Sequence, residues 1–194
     1  MRLSPRDTGM TSRDISIGWR VHPNDASIAM RDVISMNTSK CAILGSPAVG
    51  KTTLLKLLEG SDISGQYIPT QGFDRGAIKM GRNAQAVCWD FGGQAAFYEF
   101  WKQYILGSDV IVVVTDSTPV NVLQTKQLIE WAKRLTEDDD TNIIAVANKQ
   151  DLPGAMSPER VANLLGVPAY PLVATDTDNR EKMYAILKQS LKRK

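Results

Sequence analysis

The chain has 194 residues, 43% apolar and 23% charged, with a net charge of +2. That length suits one domain with a real core, and the composition excludes a disordered chain, a collagen-like chain and a coiled-coil rod. Near-neutral charge gives no electrostatic footprint for nucleic acid, and the two cysteines, Cys41 and Cys88, lie in apolar runs that suit buried reduced thiols rather than a disulfide.

Residues 1–39 read as an N-terminal extension, mixing Arg, Asp, Ser, Thr and Pro with two structured hints. Ile15 to Val21 alternates like a half-buried strand, and Ser27 to Met36 suits a short helix. From residue 40 to 194 strands and helices alternate. Cys41 to Leu44 is a short apolar strand, and Lys51 to Leu58 is a helix stopped at Gly60. Asp74 to Met80 and Ala84 to Trp89 flank Gly81-Arg82-Asn83 as an antiparallel hairpin. Asp109 to Thr115 looks buried on both faces, as a central parallel strand is. An amphipathic helix over Val120 to Leu135, a strand over Ile143 to Ala147 and a helix bracketed by Ser157, Pro158 and Gly166 follow. Tyr170 to Ala174 is the last strand and Arg180 to Leu191 the last helix. This alternation predicts an α/β fold with a sheet covered on both faces.

Three loops carry chemistry. Gly45-Ser46-Pro47-Ala48-Val49-Gly50-Lys51-Thr52 fits G-x-x-x-x-G-K-[ST] between a strand and a helix, the context that makes it a phosphate-binding loop. Its N–H groups cradle phosphate oxygens, Lys51 reaches the β- and γ-phosphates, and the Thr52 hydroxyl ligates Mg²⁺, with Thr53 next in the same helical turn. Asn148-Lys149-Gln150-Asp151 follows a strand. Alone this pattern is often a solvated loop; in a phosphate-loop domain Asp151 can accept from the guanine N1–H and exocyclic amine, a donor pair adenine lacks. The Lys149 stem can cover the base plane, and Ala174-Thr175 offers a backbone N–H to the guanine O6. Trp89-Asp90-Phe91-Gly92-Gly93-Gln94 is either a tight turn or a γ-phosphate sensor. As a sensor, Asp90 holds Mg²⁺ through water, Gly93 lets backbone approach the γ-phosphate and Gln94 orients the attacking water. Thr70 would give Mg²⁺ a second hydroxyl.

The order GSPAVGKTT, IPTQGF, WDFGGQ, NKQDLP and VAT resembles the Arf family of small GTPases over Lys40 to about Leu191. The resemblance implies a mainly parallel six-stranded sheet with one antiparallel edge strand and about five helices. It implies a guanine-nucleotide switch that binds GTP or GDP with Mg²⁺ and hydrolyses GTP slowly, with Gln94 and Lys51 as catalytic groups. It further implies an exchange factor, a GTPase-activating protein and effectors as partners, and a role like that of membrane-traffic regulators. Phe73, Trp89 and Tyr104 fall where the family places an effector-binding aromatic triad; plain core aromatics are the other reading.

Three features depart from the family pattern. Pro47 stands in the phosphate loop where the family usually has aspartate, removing an N–H donor and fixing φ. It motivates a second functional reading, a nucleotide-holding binding or scaffold module with negligible GTP turnover. A P-loop kinase using ATP is disfavoured by Asp151. Arg2 stands where N-myristoylation needs glycine, the N-terminus has no signal core, and VAT replaces the usual C-A-T. The longest purely apolar runs, Val110–Val114 and Ile143–Ala147, fall far short of the roughly 18 residues of a membrane span. The expectation is a cytoplasmic chain, not secreted, transmembrane or N-myristoylated. The basic residues of 180–194 are either a solvated helix end or a weak peripheral contact with anionic lipid.

Overall fold

The computed structural model describes residues 37–64, 69–70, 72–93, 98–137 and 139–191. The chain divides into two units, 1–35 and 36–194, and every described residue belongs to the second. The expected strand and helix of the N-terminal extension, the residue Gln94 and the last three residues of the basic tail lie outside the described set.

Six strands form one sheet: β1 (Asn37–Leu44), β2 (Phe73–Lys79), β3 (Ala84–Phe91), β4 (Val110–Thr115), β5 (Asn142–Ala147) and β6 (Ala169–Pro171). Their spatial order is β2-β3-β1-β4-β5-β6. Only the β2–β3 pair is antiparallel; β1 runs parallel to β3 and β4, β4 to β5, and β5 to β6. Five α-helices are described: α1 (Lys51–Glu59), α2 (Tyr98–Ile105), α3 (Pro119–Leu135), α4 (Pro158–Leu165) and α5 (Arg180–Leu191). The expected six-stranded, mainly parallel α/β sheet with one antiparallel edge strand is the one observed.

Period-two alternation divides the core between the two sheet faces. Cys41, Ile43, Val112 and Val114 join Leu54, Leu58, Met183 and Leu187 of α1 and α5 in one cluster. Ala42, Leu44, Ile111 and Val113 join Trp101, Ile105, Ile129, Val161 and Leu165 of α2, α3 and α4 in the other. All six residues of β4 are buried, as its continuous β-branched run requires. The cysteines are free and buried, at paired positions on β1 and β3. A hydrogen bond with Cys88, together with burial, holds the Cys41 thiol well above its usual range.

Local signals set several boundaries. The Ser157 hydroxyl accepts from Arg160 N–H at the start of α4, Pro158 takes the first turn, and Gly166 closes it at φ 64°. Thr118 and Pro119 do the same for α3. Arg180, at the start of α5, donates to the carbonyls of Leu57 (3.1 Å) and Leu58 (3.2 Å), capping the helix that the phosphate loop opens.

Three expectations need correction. β1 starts at Asn37, because its polar first half is held by backbone pairing with β3 rather than by burial. The last strand spans only Ala169–Pro171 instead of reaching Ala174: Leu172 N–H still donates to the Ala147 carbonyl at the end of β5, but the Leu172 carbonyl already accepts from Gln150 in the loop beyond it. Helix α2 was not foreseen; it is anchored by buried Trp101 and Ile105, one helical turn apart.

Candidate functional site

Strands running parallel bring their C-terminal loops to one end of the sheet, and a cavity of ≈ 250 Å³ opens there. Five separated stretches line it. The loop after β1 and the start of α1 supply Pro47, Ala48, Gly50, Lys51, Thr52 and Thr53. Pro69, Thr70, Gly92 and Gly93 close one end; Asn148, Lys149, Asp151 and Leu152 with Val173, Ala174 and Thr175 line the rest. Gly45, Ser46 and Val49, expected to touch nucleotide, do not line it. Val49 is fully buried in the core and Ser46 gives its carbonyl to Lys51 Nζ at 2.9 Å. Gly45 is buried where a Cβ would strike the Val114 carbonyl. Pro69, Gly92, Leu152 and Val173 line the cavity without having been foreseen, because nothing in their residue type marks them.

Lys51 and Asp90 are the charged groups at the phosphate-loop end, both buried. Burial pushes the Lys51 ammonium below its usual value, and Asp90 partly offsets this. Burial likewise pushes the Asp90 carboxyl up, against the lowering effect of the Thr52 hydroxyl and Lys51. Asp90 Oδ2 accepts from the Thr52 hydroxyl, which lies 3.1 Å from the Thr70 hydroxyl. Asp90 Oδ1 is buried with no hydrogen-bond partner among the described residues. A buried orphan carboxylate oxygen beside two hydroxyls is hard oxygen chemistry that fits Mg²⁺. Thr52 and Thr70 would hold the ion directly and Asp90 through water.

Gly93 lies against the phosphate loop; a Cβ there would run into the Ser46–Pro47 peptide. The close approach expected of this glycine is therefore present, with Pro47 as the neighbour.

At the other end Asn148 is a structural hub. Its Nδ2 donates to the Val49 carbonyl at 2.8 Å and its Oδ1 accepts from Ala174 N–H at 3.0 Å. One buried side chain thus ties the phosphate loop to both base-side loops. Gly50, at φ 100°, passes so near Asn148 Nδ2 that no side chain fits between them. Lys149 adopts φ 60°, the bend that turns Asp151 toward the cavity.

Phe73, Trp89 and Tyr104 meet in one cluster outside this cavity, with ring centroids 5.1 to 5.6 Å apart. Phe73 is 43% exposed, which a core aromatic is not. The Arg75 guanidinium lies 5.9 Å from the Trp89 ring centroid. Among the described residues no helix is long and apolar enough to cross a membrane.

The fold and motifs have counterparts among known proteins. The chain is 32% identical over 149 residues to ADP-ribosylation factor-like protein 4A of Homo sapiens, covering 74% of each. It is 31% identical over 131 residues to ADP-ribosylation factor-like protein alp41 of Schizosaccharomyces pombe, covering 66% of this chain and 68% of the relative. The structure of the Arl6 BBS3 small GTPase from Trypanosoma brucei, with a bound nucleotide analogue, superposes with a TM-score of 0.69. That match has 18% identity and covers 81% of this chain and 99% of that one. The model of the ADP-ribosylation factor family matches residues 27–191, beginning upstream of Lys40. With that match and these relatives, the chain belongs to the ADP-ribosylation factor family.

Proposed function

We propose that this chain is a guanine-nucleotide switch that binds GTP and GDP with Mg²⁺ and hydrolyses GTP slowly. The observation that carries the reading is one cavity with Lys51, Thr52 and Thr70 at one end and Asp151 at the other, with the buried Asp90 accepting from the Thr52 hydroxyl. Asp151 reads the guanine edge and Lys149 covers the base. Lys51 and the loop N–H groups neutralise charge that builds on the transferred phosphoryl. Mg²⁺, when bound, supplies further positive charge at the β- and γ-phosphate oxygens. Gln94 orients the attacking water. Thr70 and Gly93 hold to the γ-phosphate end and are released after hydrolysis, reshaping the surface around Phe73, Trp89 and Tyr104 that effectors read. With no arginine among the residues that line the cavity, turnover proceeds at roughly 10⁻⁴ s⁻¹ until a GTPase-activating protein docks, and an exchange factor reloads GTP. The relatives' family supports a role in membrane-linked regulation from the cytoplasm, with the basic tail giving weak lipid contact.

The test is the nucleotide released on denaturation, followed by GDP and ADP affinities with and without Mg²⁺. Bound guanine nucleotide and a strong preference for GDP are expected; equal affinities overturn the reading. A second reading, a nucleotide-holding module with negligible turnover, rests on Pro47 beside Gly93. Single-turnover hydrolysis with and without Pro47→Gly decides between them: activity that appears only in the variant favours the module.

A further inference from the structure

Asp151 is exposed at the cavity wall and its side chain makes no hydrogen bond among the described residues, so its position is set by the backbone on either side. The residue before it is unusually well fixed. Gln150 Nε2 donates to the Ser117 hydroxyl at 2.7 Å and to the Met156 carbonyl at 3.1 Å, engaging both of its hydrogens. Its backbone N–H donates to the Leu172 carbonyl at 3.2 Å.

Ser117 is itself held in a costly conformation. It is fully buried at φ 66°, in the left-handed region that serine rarely adopts. Its hydroxyl donates to the Asn148 carbonyl at 2.6 Å while accepting from Gln150. Its carbonyl accepts from Met156 N–H at 2.8 Å. Beneath it, Asn121 Oδ1 accepts from the Thr115 hydroxyl at 2.7 Å and from Asp116 N–H at 3.2 Å, pinning the end of β4. The strain at Ser117 is thus over-determined by bonds that converge on the base-side loop.

We infer that Gln150 and Ser117 are positioning residues that clamp the backbone on both sides of Lys149 and so set where the Asp151 carboxylate meets a guanine base. Neither touches the cavity. Their effect is on specificity: a carboxylate free to shift loses the two-point contact with N1–H and the exocyclic amine first, while the phosphate contacts stay. This rests on the guanine reading proposed above.

The experiment compares GDP with IDP, which lacks only the exocyclic amine, on the full chain by competition binding. Gln150→Glu keeps shape but replaces the two donors by a carboxylate facing a carbonyl. Ser117→Gly removes the hydroxyl while relieving the backbone strain, so it folds even if Gln150→Glu does not. A hydrogen bond to a charged acceptor implies that the parent prefers GDP over IDP by roughly tenfold or more. Both variants are expected to reduce that ratio at least threefold, chiefly by weakening GDP. Equal weakening of GDP and IDP, with the ratio kept, is the signature of a merely structural role and overturns the positioning proposal alone. A parent that binds GDP and IDP equally overturns the base-reading assignment, and the positioning proposal falls with it.

Discussion

Replacing Asp90 with asparagine should move the bare protein and the loaded protein in opposite directions. In the bare site Asp90 is fully buried and its Oδ1 is orphaned. Its carboxyl is pushed up by burial, a net shift that already includes the attraction to Lys51. The neutral form is therefore the better occupant of the bare site. An unpaired buried polar group costs about 1–3 kcal/mol, and more when charged. Asparagine keeps one oxygen for the Thr52 hydroxyl but leaves its amide without a clear acceptor, so the gain sits near the low end, about 1 kcal/mol. For a chain of this size that is a rise of about 2–4 °C in melting temperature. With Mg²⁺ and nucleotide present the order reverses, because the parent gains ligand-linked stability that the variant has lost.

The pH dependence supplies a second check with a definite sign. With a raised native pKa, the folded protein holds a proton that the unfolded chain has released. Stability is then greatest below the ordinary carboxylate range and declines as pH climbs through the raised value. Asp90→Asn removes that slope. The assay is thermal unfolding in excess chelator after nucleotide removal, across acidic to neutral pH, repeated with Mg²⁺-GDP. A bare Asp90→Asn protein that melts at or below the parent refutes the assignment of Asp90 as a strained orphan charge.

Three further outcomes are expected. Gly93→Ala places a Cβ in the Ser46–Pro47 peptide, so affinity for a non-hydrolysable GTP analogue should fall while GDP affinity holds; equal losses in a titration of both would show that the contact is not specific to the triphosphate state. Leu54→Ala, fully buried beneath the phosphate loop, should cost about 2–5 kcal/mol in urea unfolding. Phe73→Ala should cost no more than about 1.5 kcal/mol, the scale of aromatic pair contacts, yet reduce recovery of nucleotide-dependent partners in affinity capture, because nearly half of the residue is open to solvent.

Much of this was readable before any coordinates, for identifiable physical reasons. Asp109 to Thr115 reads as a strand buried on both faces and Ser157-Pro158 with Gly166 brackets a helix, and the structure has both. Asn37 to Lys40 was illegible because backbone pairing, not side-chain burial, makes it a strand. Helix α2 has a stop in Gly107, at φ 71° just past its end, but the sequence before it, Ala95 to Phe97, offers no capping side chain, and its other signal is a pair of large residues four apart. At the site, sequence picked out most of the residues that line the cavity, among them Lys51, Thr52 and Asp151, because their chemistry is in their side chains. It did not identify Ser117 or Gln150, whose contribution is a backbone angle and a pair of hydrogen bonds between segments 33 residues apart.

The strand order explains why motifs so scattered in the chain meet around one cavity. Asp90 lies at the end of β3 and Gly93 follows it, the phosphate loop follows β1, Ser117 follows β4, Asp151 follows β5 and Ala174 follows β6. Read across the sheet, that order runs cation end, phosphate loop, support, base edge. From β3 to β6 is four strand spacings, about 19 Å, the reach of an extended nucleotide rather than of a lone phosphate or nucleoside. The four-residue pattern around Asp151, weak in isolation, gains its support for the proposed guanine reading from this geometry. Had β5 run antiparallel to β4, Asp151 would stand at the opposite end of the sheet, a strand length away from Lys51. The parallel register of Thr115 with Ala147 is what carries Asp151 to the same rim as Lys51.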